Sequence, residues 1–381
     1  MDTINRKYKV TAQILTPLHI GAGAEKDWIE GVDYLKQGNT LYHLDMRKML
    51  TAGIDVNRMA QMFASGKTSE EIREVVGSNL RSVSDFQKPM PCSSTNPIKV
   101  FLRNQLTGNP IIAGSSLKGA IRSILFNYLR ENERTNEEVF GKLKDGADFM
   151  RFIRVGDIEF SNDSTILVNS NIYNLRNSQG ELQGGWKHGQ NNTRYNRGIT
   201  NFNTIYECLI PKSYAEGCIL FSDKLFAHYD KIQPHKDKKS KLIQNGDIAT
   251  QICEIINNHT FDYINKELDY LDAYQDAEYN QELFDNCNDL LGCINNLIEP
   301  NSHQCILKMS AGSGFHSITG DWQFSDYTIS NIRNERGRNV SFGKDKANKI
   351  AKSAKSRKVA FYQNQPYLMG FVKLTFEQVN E

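Results

Sequence analysis

The stretch Gly114-Ser-Ser-Leu-Lys-Gly-Ala-Ile-Arg122 is the most informative part of this 381-residue sequence. It opens a segment in which apolar residues recur at helical spacing, which predicts a helix that begins at Ser115 and buries one face. The residues on that face are Leu117, Ile121, Ile124, Leu125 and Tyr128. Short strands are predicted on both sides of this helix, so the stretch lies at a strand-to-helix junction.

The start of this helix has the composition of an anion-binding site. Gly114 permits a close backbone approach, and Ser115 or Ser116 can cap the helix. The free amides of the first turn favour an anion, while Lys118 and Arg122 lie four residues apart on one predicted exposed stripe. Together these groups predict a phosphate cradle, and the alternative is an ordinary capped helix with a solvated basic edge. The residue order of a nucleotide-hydrolysing P-loop is absent.

Two further glycine-rich segments each follow a predicted strand. The strand over residues 7–14 runs into Thr16-Pro-Leu-His-Ile-Gly-Ala-Gly23, a loop whose tight turn needs its small residues. The strand over residues 305–309 runs into Ser310-Ala-Gly-Ser-Gly-Phe-His316, where backbone amides can meet a phosphate and Phe315 can stack on a base. The glycines predicted to make these backbone contacts are Gly21, Gly23, Gly312 and Gly314.

A basic tract over residues 336–358 lies just beyond the second of these loops. It contains nine lysines and arginines and one acidic residue, Asp345, whereas acidic residues collect between positions 267 and 289. We interpret the tract as an RNA contact, over the alternative of a solvated face. The lysines at its centre are Lys346, Lys349 and Lys352.

The pattern of elements predicts an α+β chain in which a sheet is layered with helices, such as the ferredoxin-like arrangement. Helical periodicity covers residues 45–80 and 247–298. Further strands are predicted at residues 99–103, 110–113, 152–160, 165–169, 204–209, 217–222 and 370–376. The polar segment 176–200 contains Trp186 together with several basic side chains. This mixture predicts either a hairpin whose aromatic residues stack on RNA bases or an ordinary surface loop.

The composition excludes several classes of protein. Hydrophobic residues make up 39% and charged residues 24%, which is typical of a globular chain, and the net charge is only +2. Seven scattered cysteines form no CxxC pair, so we expect reduced thiols, no metal site and no cofactor. The grouping of Cys287, Cys293 and His303 fits no common zinc spacing. The polar N-terminus and the absence of an apolar run of ~18 residues predict a cytoplasmic protein that does not span a membrane.

In combination, the glycine-rich segments resemble the RAMP superfamily of CRISPR proteins and, within it, the backbone-capping fifth subunits of type III-A Csm complexes. The four segments that carry the resemblance are Leu15-Thr-Pro-Leu-His-Ile-Gly-Ala-Gly23, Ile112-Ala-Gly-Ser-Ser-Leu-Lys-Gly-Ala-Ile-Arg122, Gly312-Ser-Gly-Phe315 and Met369-Gly-Phe-Val-Lys-Leu374. The resemblance implies tandem ferredoxin-like (RRM-like) modules with a helical insertion. We accordingly divide the chain into an N-terminal module over residues 1–230, an insertion over 231–300 and a C-terminal portion over 301–381.

The resemblance also implies a function. The chain would bind crRNA near its 3′ end, assist crRNA maturation and complex assembly, and catalyse no reaction. Its implied RNA partners are crRNA and target RNA. Its implied protein partners are the other Csm subunits, especially the repeated backbone subunit, and a host nuclease that trims the crRNA. The residues that would lie on the crRNA backbone are Gly114, Ser115, Ser116, Lys118 and Arg122, with Gly21, Gly23, Gly312 and Gly314 in the adjoining loops.

Other interpretations stay open at this point. Asp33 lies where the repeated backbone subunit carries its RNA-cutting aspartate, but its strand-like context favours a structural role. His19 and His316 adjoin the glycine loops and are acid–base candidates for a repeat-RNA processing endoribonuclease. A protein-only scaffold, whose basic tract meets an acidic partner, is a third hypothesis and predicts that no RNA co-purifies.

Overall fold

The computed structural model describes residues 5–77, 79–93, 96–130, 135–144, 148–178, 181–188, 195–222, 242, 247–272, 277–297, 302–309, 311 and 356–379. Its strands are β1 (Arg6–Ile14), β2 (Tyr34–Gln37), β3 (Thr40–Leu44), β4 (Ser84–Pro89), β5 (Ile111–Ile112), β6 (Ile153–Val155), β7 (Ile158–Glu159), β8 (Thr165–Ser178), β9 (Glu181–Lys187), β10 (Tyr195–Asn196), β11 (Asn203–Leu209), β12 (Tyr214–Phe221), β13 (Gln304–Lys308), β14 (Ser356–Tyr362), β15 (Gln365–Leu368) and β16 (Phe371–Gln378). Its α-helices are α1 (Met46–Thr51), α2 (Val56–Ala64), α3 (Ser69–Val76), α4 (Gly114–Leu129), α5 (Asn136–Phe140), α6 (Ile248–Asp272) and α7 (Asn280–Asn295).

The main sheet has the ferredoxin-like strand order. Its strands run β13-β16-β1-β12-β6, and every neighbouring pair is antiparallel. Without the edge strand β13, this is the arrangement of a βαββαβ unit: α4 connects β1 to β6, and α6 connects β12 to the last strands. Side chains of both helices pack with those of the sheet in one hydrophobic core. The α+β, ferredoxin-like fold class predicted from the sequence is confirmed.

The main sheet joins the two ends of the chain. Val10, in β1, lies opposite Gly217 in β12 on one side and opposite Phe376 in β16 on the other. The segments predicted as residues 1–230 and 301–381 therefore contribute neighbouring strands to one sheet. The predicted insertion supplies α6, which packs on that sheet. The division of the chain at positions 230 and 300 stays a prediction.

The second large sheet is built around the long strand β8. Its order is β10-β9-β8-β14-β15, and β11 also pairs with β8. Trp186, in β9, is fully buried 5.0 Å from the Tyr173 ring and donates a hydrogen bond to the Glu278 carbonyl. The predicted hairpin therefore exists as β8 and β9, but the prediction that Trp186 stacks on RNA bases is wrong. Its indole belongs to the core between this sheet and α7.

A small unit of three strands and three helices covers residues 34–89. Strands β2, β3 and β4 form an antiparallel sheet, and α1, α2 and α3 bury their apolar sides in a core of their own. Thr68 starts α3 with a capping box in which its hydroxyl accepts from the Glu71 amide while the Glu71 carboxylate accepts from the Thr68 amide. The predicted helical segment 45–80 thus forms three short helices.

Helix α4 packs its apolar stripe on the main sheet as its periodicity predicts. Leu117, Ile121 and Leu125 are fully buried, which contributes ~1.5–3 kcal/mol for each side chain. Tyr128, expected on the same face, is 49% exposed, so that expectation is wrong. Because this stripe is buried against the main sheet, the orientation of the other sides of α4 is fixed.

Candidate nucleic-acid interface

A cleft of about 580 Å³ runs beside helix α4. The cleft is lined by α4, by α6 with the end of β13, and by the loop after β1. The residues that line it are His19, Ile20, Gly21, Ser116, Gly119, Ala120, Ser123, Ile124, His259, Thr260, Tyr263, Lys308, Met309 and Ala311. Its lining therefore includes residues from the first glycine-rich loop, from the start of α4 and from the beginning of the second glycine-rich loop.

Hydrogen bonds hold the glycine-containing segments of the chain together at this cleft. The amide of Ala311 donates to the carbonyl of His19 over 3.1 Å, and the amide of Gly370 donates to the carbonyl of Pro17 over 3.0 Å. The Phe371 amide donates to the Thr16 hydroxyl, also over 3.0 Å. Segments that lie about 300 residues apart in the sequence thus lie together at the cleft, which α4 also lines.

Helix α4 contributes small residues to the cleft. Ser116, Gly119, Ala120 and Ser123 recur at helical spacing, so they form one stripe along the helix. A Cβ atom added to Gly119 would have no heavy atom within 4 Å. The backbone of α4 is therefore open to a ligand at Gly119, with a serine hydroxyl one turn before it and another one turn after it.

Gly114 has a different neighbourhood from the one that the sequence suggested. It is buried, and its amide donates to the Asp157 carboxylate over 2.7 Å. A Cβ atom there would overlap the carbonyl oxygen of Val155 and lie 2.8 Å from its carbonyl carbon. Gly114 permits a close backbone approach as predicted, but the approach is to the protein's own strand, and its amide is bonded to Asp157.

The capping residue of α4 also differs from the prediction. The N-cap is Ala113, which makes no side-chain hydrogen bond, so neither Ser115 nor Ser116 caps the helix. The Ser116 amide donates to the Ala113 carbonyl over 2.9 Å. Ser115 is exposed, and Ser116 lines the cleft.

Arg122 does not project freely into solvent. Its guanidinium lies 2.7 Å from the Asp148 carboxylate and 4.3 Å from the centre of the Phe140 ring. Lys118 lies on the same side of α4, and partial burial of its amine lowers its pKa. Neither residue lines the cleft. The predicted cradle of hydroxyls and two cations is thus divided between two faces of the helix.

Lys308, at the end of β13, is the cation that lines the cleft among the described residues. Its ammonium group donates to the Tyr263 hydroxyl over 2.8 Å and lies 4.8 Å from the centre of that ring. Burial lowers the pKa of Lys308 to about 8, which nearby Glu267 opposes. Sequence reasoning missed Lys308 and His259. The signal available for Lys308 was a lysine in an apolar strand that leads directly into a glycine-rich loop.

The first glycine-rich loop lines the cleft through His19 and Gly21. The His19 ring is 2% exposed, packs edge-on against Tyr206 at 4.8 Å, and its Nδ1 atom lies 2.7 Å from the Glu207 carbonyl oxygen. Burial lowers the pKa of the His19 imidazole to about 4. Gly21 is exposed at the cleft, whereas Gly23 turns the chain with a φ of 112° outside it.

Asp33 has the structural role that its sequence context favours. Its carboxylate accepts a hydrogen bond from the Ile29 amide over 2.7 Å, which closes the turn before β2. The carboxylate therefore stabilises its own loop. No described residue in this turn lines the cleft.

Several predicted residues lie outside the described residues: His316, Gly312, Gly314, Phe315, Lys346, Lys349 and Lys352. The end of the basic tract is described, and there the predicted RNA contact is wrong for Arg357. This residue is 4% exposed and forms an ion pair with buried Glu267 at 2.5 Å. Lys358 donates to the Tyr206 hydroxyl over 2.8 Å.

The described ranges contain neither a cluster of metal ligands nor a membrane-spanning helix. There, no three histidine, cysteine or acidic side chains come together as a metal site would require. Cys287 is buried in the core, and Cys293 is exposed. In the same ranges, no helix combines the length and the hydrophobicity needed to cross a bilayer.

The sequence and the fold of this chain are similar to those of known proteins. The profile of the RAMP superfamily matches residues 11–246. The CRISPR system protein Csm5 of Streptococcus thermophilus is 25% identical over 211 residues, which are 46% of this chain and 58% of that protein. The match thus spans less than two thirds of this curated relative.

Solved structures share the fold. A chain from the cryo-EM structure of a Csm–crRNA–target RNA ternary complex in a type III-A CRISPR-Cas system matches with a TM-score of 0.62 and 16% identity, over 97% of this chain and all of that one. The crystal structure of T. onnurineus Csm5 matches with a TM-score of 0.56 and 16% identity, over 95% and 99% of the two chains. The resemblance predicted from the four sequence segments is confirmed.

Proposed function

The chain belongs to the RAMP superfamily, and we propose that it is a crRNA-binding subunit that caps the backbone of a type III-A CRISPR complex near the crRNA 3′ end. The observation that carries this proposal is the convergence of the chain's glycine-containing segments on one cleft. Its partners in this proposal are crRNA, target RNA, the repeated backbone subunit and other Csm subunits, and a host nuclease that trims the crRNA. It would act in the cytoplasm, assisting crRNA maturation and complex assembly.

The cleft has the chemistry of a sugar–phosphate site. Gly21 and Gly119 leave two backbone surfaces without side chains, so a ribose–phosphate chain can approach closely on both sides. Ser116 offers a hydroxyl, and Lys308 offers a positive charge at neutral pH. The Ser123 hydroxyl already donates to the Gly119 carbonyl over 3.1 Å, so only its oxygen remains as an acceptor. Backbone groups, hydroxyls and lysines are the usual contacts to phosphate and sugar, which bind RNA without selecting its sequence. A crRNA subunit needs this property, because guide sequences vary.

The chain is proposed to be non-catalytic because His19 is a poor acid–base catalyst. An imidazole with a pKa of about 4 is almost entirely neutral at pH 7, so the imidazolium form that would protonate a leaving group is scarce. A repeat-RNA endoribonuclease is the second candidate function, since the His19 ring contacts Tyr206, whose hydroxyl accepts from Lys358. Cutting of repeat RNA by the wild-type chain, lost in His19→Ala or in His316→Ala, would support that second candidate.

The test of the first proposal is purification of the native chain together with its nucleic acid. We expect RNA of discrete length, and we expect its affinity to fall steeply as salt rises, because phosphate binding releases counterions. Lys308→Met should lower the affinity and make its salt dependence shallower. A chain that brings down no RNA and binds none at low salt would instead support the protein-only scaffold.

A further inference from the structure

The His19 ring is held in one tautomer by its hydrogen bond to the backbone. Its Nδ1 atom lies 2.7 Å from the carbonyl oxygen of Glu207, and a carbonyl oxygen only accepts hydrogen bonds. Nδ1 must therefore carry the proton and donate it. In a neutral imidazole the other nitrogen, Nε2, is then a lone-pair acceptor.

This tautomer persists across the physiological pH range. Burial lowers the pKa of His19 to about 4, so the ring stays neutral well below pH 7. Tyr206 and Phe101 pack edge-on against the ring, with centroid distances of 4.8 Å and 6.0 Å, and these contacts fix its orientation. Nε2 is thus a fixed acceptor.

The acceptor faces the cleft beside Gly21. A Cβ atom at Gly21 would lie 3.4 Å from Nε2, so the missing side chain leaves the approach to this nitrogen open. Within the part of the chain that the structure describes, no group donates a hydrogen bond to Nε2. An acceptor in a cleft without a protein donor is satisfied by water or by a ligand, and leaving it unsatisfied is costly.

Few groups on a nucleic-acid backbone are able to donate to this nitrogen. Phosphate oxygens and the ribose ring oxygen only accept, whereas the ribose 2′-hydroxyl both donates and accepts. DNA lacks that hydroxyl. We propose that His19 accepts a hydrogen bond from a ribose 2′-hydroxyl through Nε2 and thereby makes the cleft select RNA over DNA. This inference rests on the proposed function, since it requires a nucleic-acid chain in the cleft.

The test measures binding of one fixed single-stranded sequence as RNA, as DNA and as RNA with a single 2′-deoxy substitution at each position in turn. For the wild-type chain we expect a loss of about fivefold to tenfold at one position, the size of one hydrogen bond. His19→Phe preserves the ring packing but removes the acceptor, so the same deoxy substitution should no longer matter. Because the deoxy series uses the wild-type chain, it stays informative if His19→Phe does not fold.

The outcomes separate this inference from the proposed function. If the wild-type chain binds neither RNA nor DNA, both are wrong. If it binds RNA but no single 2′-deoxy substitution changes the affinity, the role of His19 alone is wrong. If base changes at one position matter and sugar changes do not, a base amine donates to Nε2 and the inference is also overturned.

Discussion

Helix α4 presents two faces of different character. The face with Ser116, Gly119 and Ser123 lines the cleft and carries small side chains. The face with Lys118 and Arg122 lies roughly a quarter to a third of a turn away, and Arg122 there is held by Asp148 and Phe140. On this helix the proposed ligand surface is therefore the face with small side chains, and the positively charged face packs against the protein itself.

The two glycines of α4 show the same contrast. A Cβ atom at Gly114 would overlap the backbone of Val155, while a Cβ atom at Gly119 would meet open space. One glycine is required by the packing of the helix on its own sheet. Gly119 is not required by the fold, so the open backbone there is accessible to a ligand.

The largest effect is expected from Gly114→Ala. The added methyl group forces α4 away from the β6–β7 connection and weakens the hydrogen bond to Asp157. We expect the free energy of unfolding to fall by about 3 kcal/mol, as for overpacking in a core. Urea denaturation measures it as a lower midpoint with an unchanged slope. Unchanged stability would mean that α4 does not abut Val155.

A smaller effect is expected from Gly119→Ala, which should stabilise the protein instead of destabilising it. Alanine is the better helix former, so the free energy of unfolding should rise by ~0.5–1 kcal/mol. RNA affinity should nevertheless fall about tenfold, or about 1.4 kcal/mol, since the methyl group enters the cleft. Thermal unfolding and RNA titration of one preparation measure both changes.

Gly292→Ala is the matched control for this substitution. Gly292 lies inside helix α7, is exposed, and a Cβ atom there would also meet no heavy atom within 4 Å. We expect the same gain in stability and an unchanged RNA affinity, because this residue is absent from the cleft lining. Equal RNA affinities for the two variants would remove Gly119 from the binding surface.

The sequence predicts those features that depend on local periodicity. Alternation predicts β1, and helical spacing predicts α4 with its buried Leu117, because in each case one face of a local element is apolar. The glycine-rich segments were also recognisable, since each directly follows a predicted strand or begins a helix. These features carry the fold class and the family.

The rest depends on three-dimensional neighbours that no local pattern encodes. Arg357 belongs to a basic tract in the sequence, yet buried Glu267 binds it in the structure. Trp186 occurs in a polar segment, yet it fills the core between β9 and α7. Gly114 and Gly119 are the same residue type five positions apart, and only the position of Val155 distinguishes their roles. Charge and aromaticity in a sequence thus indicate interactions without indicating the partner.

The smallest effect is expected on the basic face of α4. Arg122→Ala removes a partly exposed ion pair and a ring contact, so the free energy of unfolding should fall by about 1 kcal/mol while RNA affinity changes less than twofold. Lys118→Ala tests the predicted phosphate contact on this face. If Lys118 binds a phosphate, affinity should fall uniformly across sequences and the salt slope should decrease by about 1. If neither single variant alters RNA binding, then the two faces of α4 have separate roles: one binds the ligand, and the other holds the helix in place.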